Sequence, residues 1–126
     1  MTITAFSKMV GFSLQAAEIL QKDHGINAEV LNLRVLRPLD RNAIIKSVKK
    51  TNRIVSVEEG WPQCGIGAEI AASIMETDAF DYLDAPLERI TGADIPMPYS
   101  VTIERLAVPQ VQNIVNGVLR AVHRKK

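Results

Sequence analysis

Four times along this chain a short run of β-branched residues gives way to a stretch of apolar residues recurring every three to four positions. The β-branched runs are Thr2 to Phe6, Ala28 to Leu33, Arg53 to Val57 and Leu87 to Thr91, each with the composition of a strand. The stretches that follow carry Val10, Leu14 and Ala17 with Ala16 and Leu20, then Ile44, Ile45 and Val48, then Ile70 and Ile74. The last and most regular carries Val111, Ile114, Val115, Val118, Leu119 and Val122. Boundary residues fit this division. Ser7 and Asp40 are predicted N-caps, Gly25 is a helix stop, and Pro109 stands where the last helix begins. A helix between successive strands carries the chain back across the sheet, so the next strand runs parallel to the last. The expectation is an α/β layer fold with a mostly parallel sheet. Between Thr91 and Pro109, prolines at 96, 98 and 109, with Pro86 at the entry, predict an irregular loop.

At 126 residues the chain is expected to form one domain, spanning 1–126, that folds without disulfides. Its 47% apolar and 23% charged residues match a globular protein, and a net charge of +1 provides no basic field for nucleic acid. No apolar run approaches the roughly 20 residues of a spanning helix, and the start MTITAFSKMVG lacks the pattern of a secretory signal. The expected partners therefore include neither nucleic acid nor membrane. Cys64, the single cysteine, excludes an internal disulfide framework.

Candidate chemistry is sparse. Gly65 and Gly67 in QCGIGAEI could expose helix N–H groups to a phosphate, but the third glycine of a dinucleotide fingerprint is replaced by Ile70. Close helix-to-sheet packing is the stronger reading. Cys64 would need a base, and His24 and His123 belong to no local motif with it, so a small packed cysteine is expected. Glu58 and Glu59 follow a strand and point to opposite faces, which suits capping of the next helix better than paired acid catalysis. Asp84 and Asp94 lie in separate loops, so no acid cluster at metal-ligand spacing is visible. The end His123, Arg124, Lys125, Lys126 suits a helix C-terminus. These residues assign no catalytic, cofactor-binding or metal-binding role.

The strings RPLD (37–40), KKTNR (49–53), VEEGWPQCGIGAEIA (57–71), YLDAP (82–86) and GADIPMPY (92–99) closely resemble the carboxy-terminal domain of the pyruvate dehydrogenase E1 component β subunit. The resemblance covers nearly the whole chain. It implies the transketolase C-terminal-domain-like fold, a three-layer α/β/α arrangement with a mixed sheet of about five strands, one edge strand being antiparallel. It also implies that thiamine diphosphate and magnesium belong to the complete E1 heterotetramer, in an amino-terminal β domain absent here and the α subunit. The implied reaction is oxidative decarboxylation of pyruvate with acetyl transfer to the lipoyl group of E2, leading to acetyl-CoA in the mitochondrial matrix, or in the cytoplasm if bacterial. The isolated domain is expected to be inactive alone.

The implied role is assembly with the α subunit and a second β subunit, and docking of the peripheral subunit-binding domain of E2, a small basic module. Asp84 matches a position implicated in that docking. Trp61, Pro62 and Ile66 are the candidate apolar interface. The HRKK tail departs from the family pattern, since its cations repel a basic partner. An alternative function is a standalone small-molecule or nucleotide-binding domain that uses the turn from Gly65 to Gly67.

Overall fold

The computed structural model describes residues 1–124. Four short strands, β1 (Thr2–Ala5), β2 (Glu29–Asn32), β3 (Ile54–Val57) and β4 (Glu88–Ile90), form one sheet in the order β2-β1-β3-β4, with every pairing parallel. The helices are α1 (Lys8–His24), α2 (Arg41–Thr51), α3 (Ile66–Met75), α4 (Val101–Ala107) and α5 (Val111–His123), with a 3-10 turn at Asp78–Tyr82. The family resemblance implies about five strands with an antiparallel edge. Among the described residues there are four, the number the β-branched runs predict. After β4 the backbone bonds to a loop and a helix end instead of another strand, with Gly92 N–H donating to the Gly60 carbonyl at 2.9 Å and Ala93 N–H to that of Ala107, the last residue of α4, at 2.8 Å.

Alternation along β1 sorts the two faces. Ile3 and Ala5 pack with Met9, Ala16 and Leu20 of α1 and with Ile114, Val115 and Val118 of α5. Thr2 faces the other way, its hydroxyl 2.6 Å from those of Ser47 and Thr51 in α2. That second face is filled by Ile44 and Val48 of α2, Ile70 and Ile74 of α3, and Ala79 and Leu83 around the 3-10 turn. Helices on both faces make the three layers expected of a parallel sheet. On α5, Gly117 lets β4 approach, because a Cβ there would overlap Ile90.

Three local expectations are corrected. In α1 the buried stripe is Met9, Ser13, Ala16 and Leu20, while Leu14 is 51% exposed. The buried set keeps helical spacing but is shifted in phase, since the small side chains of Ser13 and Ala16 admit the neighbouring layer closely. Ser7 precedes α1 at φ 53° without a side-chain cap bond, whereas Asp40 caps α2 as expected, accepting from Ala43 N–H at 3.0 Å. The segment predicted to be irregular contains α4. Its prolines lie outside the helix, and the Val108 N–H closes it on the Glu104 carbonyl at 3.1 Å.

The phase of α1 gives a direct test. Met9→Ala removes a fully buried side chain and is expected to cost about 2–5 kcal/mol in urea unfolding. Leu14→Ala should stay within about 0.5 kcal/mol of the parent, and a larger cost for Leu14→Ala than for Met9→Ala would refute the assignment.

Candidate functional site

A parallel sheet has two unlike ends, and the candidate residues divide between them. At the carboxyl end of β3 the chain turns immediately into Glu58, which is 3% exposed. Its carboxylate accepts the Ile66 N–H at 2.9 Å and the Gly67 N–H at 3.1 Å, the first free donors of α3. Arg89 from β4 lies 3.5 Å from the same carboxylate and donates to the Pro62 carbonyl. A Cβ on Gly65 would sit 2.6 Å from a Glu58 oxygen, and one on Gly67 would sit 2.6 Å from the Ser56 hydroxyl. The glycines are thus required by close packing. The anion position at this helix N-terminus is filled by the protein's own carboxylate.

Cys64 is exposed, not packed as expected. It stands at φ 57°, just before Gly65 at the α3 N-cap, where the chain reverses direction and leaves the side chain outside the helix. His24 and His123 close α1 and α5 at the opposite end of the sheet, so neither approaches Cys64.

Trp61 is 56% exposed and donates its indole N–H to the Ile95 carbonyl at 2.9 Å. Beyond that contact lie the exposed side chains of Met97, Tyr99, Val101, Ile103 and Leu106, an apolar run that the proline pattern had concealed. Ile66 is half-buried and packs toward the α2–α3 core. Between β1 and β3, where crossovers leave to opposite faces, a cleft of about 420 Å³ is lined by Lys8, Phe12, Glu59, Glu104 and Arg105. Two cations and two acids give it no net preference for an anion.

At the amino end of the sheet, α2 stops at Asn52 in the left-handed region, φ 63°. The Asn52 side-chain amide donates to the Tyr82 carbonyl at 2.8 Å, and its backbone carbonyl accepts the Asp84 N–H at 2.9 Å. Asp84 is exposed. Next to Asn52 in the chain, Arg53 directs one guanidinium nitrogen at the carbonyls of Val122 (2.7 Å) and Arg124 (3.2 Å) and also at that of Ala121, closing the end of α5. Lys49 reaches Asp78 at 2.6 Å and lies over the Tyr82 ring; its ammonium is held above the ordinary lysine value, chiefly by the hydrogen bond to Asp78.

Asp84 and the pair Trp61 and Ile66 therefore lie at opposite ends of β3 and cannot form one contact patch. The site role of Asn52 and Arg53 had no signal in the sequence, because the partners of their side chains come from segments 30 or more residues away. His123 and Arg124 are exposed at the end of α5, and Lys125 and Lys126 lie outside the described residues. Among the described residues, no group of three His, Cys, Asp or Glu side chains could hold a metal ion. Among the same described residues, no helix is long and apolar enough to cross a membrane.

The family model "Transketolase, C-terminal domain" matches residues 1–114. The chain belongs to this family. This transketolase C-terminal domain is 65% identical over 123 residues to the mitochondrial pyruvate dehydrogenase E1 component subunit beta-1 of rice (Oryza sativa subsp. japonica), covering 98% of this chain and 32% of that protein. It is 53% identical over 122 residues to the mitochondrial E1 component subunit beta of mouse (Mus musculus), covering 97% and 34%. The chain thus spans about a third of the length of these curated relatives. Among solved structures, a split-gene transketolase described as an inactive beta4 tetramer superimposes with a TM-score of 0.84 at 25% identity, covering 99% of this chain and 39% of that one.

Removing the carboxylate tests the closed turn. Glu58→Ala leaves two helix donors and a partly buried arginine without their acceptor, and is expected to cost about 3 kcal/mol in urea unfolding. Glu58→Gln, which keeps one acceptor oxygen, should cost less. Parent-like stability of Glu58→Ala would remove Glu58 from its structural role.

Proposed function

We propose that this chain is the assembly and docking domain of a pyruvate dehydrogenase E1 component β subunit, acting in the mitochondrial matrix. The observation that carries this reading is 65% identity over 98% of the chain to a protein of that name, with similar coverage in relatives from pea to mouse. The reaction belongs to the complete E1 heterotetramer, which decarboxylates pyruvate and passes the acetyl group to lipoyl-bearing E2. Thiamine diphosphate and magnesium would supply that chemistry in other domains of the assembly. The residues of this chain do not fit the diphosphate: the glycine-lined N-terminus of α3 already binds Glu58, so no catalytic step is assigned to this chain. The same bond argues against the alternative of a standalone nucleotide-binding domain.

The two ends of the sheet divide the work. The apolar run from Trp61 and Ile95 to Leu106 suits burial against the α subunit or a second β subunit, where water would otherwise meet its large side chains. The opposite end presents Asp84, whose carboxylate has no hydrogen-bond or ion-pair partner among the described residues and suits a basic subunit-binding module of E2. Isothermal titration against that module tests the assignment. Asp84→Ala is expected to weaken binding about tenfold or more, and equal binding by both forms would remove Asp84 from the contact. In a parallel thermal-shift measurement, thiamine diphosphate or nucleotides should leave the melting temperature unchanged, whereas a rise would support the small-molecule reading.

A further inference from the structure

We infer that Asn52 and Arg53 are the positioning residues of the docking end, setting the Asp84 loop and the end of α5 at a fixed separation. The inference rests on the reading of that end as the E2-docking surface. Residues distant in sequence meet here through a single corner. Asn52 holds the loop twice, by its amide on the Tyr82 carbonyl and by its own carbonyl on the Asp84 N–H. Arg53, the next residue, takes the carbonyls that α5 leaves without helical partners at its negative end.

Both residues are half-buried, while Asp84, His123 and Arg124 are exposed, so the corner lies beneath the surface it organises. The charge arrangement is consistent with this role. The Arg53 guanidinium is committed to neutral carbonyls and forms no ion pair with Asp84, which leaves the Asp84 carboxylate available to a cationic partner. Without the two anchors the loop and the helix end would each sample several positions, and ordering them would fall as a cost on binding.

Arg53→Gln and Asn52→Gly separate this role from direct contact and from general stability. Glycine retains the left-handed backbone at 52 and deletes only the side-chain anchor. Each variant is expected to lower affinity for the E2 subunit-binding module roughly fivefold in isothermal titration. Asn52→Gly, which alters no charge, should also leave the salt dependence of binding at the parent slope, whereas Asp84→Ala flattens it. Hydrogen exchange should accelerate over 121–124 in Arg53→Gln and over 82–85 in Asn52→Gly, with Arg53→Lys restoring part of the affinity. Parent affinity in both variants while Asp84→Ala is impaired would overturn the positioning role alone. No binding by the parent chain would overturn the docking reading and this inference with it. If Arg53→Gln does not fold, Asn52→Gly decides: unchanged affinity there overturns the inference.

Discussion

The carboxylate of Glu58 binds two N–H groups of α3 in the angle between β3 and that helix, with Arg89 of β4 beside it. Three elements meet on one buried side chain, and the glycines at 65 and 67 are the only residue type that lets the helix come so near. An acid buried at 3% exposure is tolerated because donors and a cation surround it. The functional consequence is as large as the structural one. In open α/β sheets this helix N-terminus is where a ligand's phosphate commonly sits, and here the protein has placed its own anion there. The parallel sheet is open at that point, and Glu58 closes the anion position.

What remains open is surface, and the direction of a parallel sheet separates it into two kinds. The segments after β3 and β4 carry Trp61 and the apolar side chains from Ile95 to Leu106, the last of them on α4, suited to a broad, water-excluding contact. The amino end of the sheet presents Asp84, in the loop before β4, and the polar end of α5, suited to a smaller, charge-steered contact. The sheet holds these two surfaces apart, the geometry that the proposed pairing of an assembly contact with a docking contact needs.

Much of this was readable from residue types. The four strands followed from β-branched runs, the cap at Asp40 from its carboxylate, the stop at Gly25 from glycine's freedom at positive φ, and the packing role of Gly65 and Gly67 from their place before a helix. The misreadings have physical causes. Leu14 looked like core because it is large and apolar, yet Ser13 is the buried neighbour beside the expected Ala16 and Leu20, its small side chain admitting the next layer. The prolines at 96, 98 and 109 hid α4, since they bound the helix without entering it. Cys64 looked like a packed residue by type, but a turn at positive φ leaves it outside. The corner at Asn52 and Arg53 was beyond reach, as its bonds exist only after distant segments have packed.

Mapping the contact residue by residue tests the central claim that docking belongs to the amino end of the sheet. In a titration of the isotopically labelled chain with the E2 subunit-binding module, amide chemical shifts are expected to change at 52–53, 81–85 and 121–124. Shifts centred on 61–67 and 97–106, with the Asp84 loop unmoved, would contradict the account.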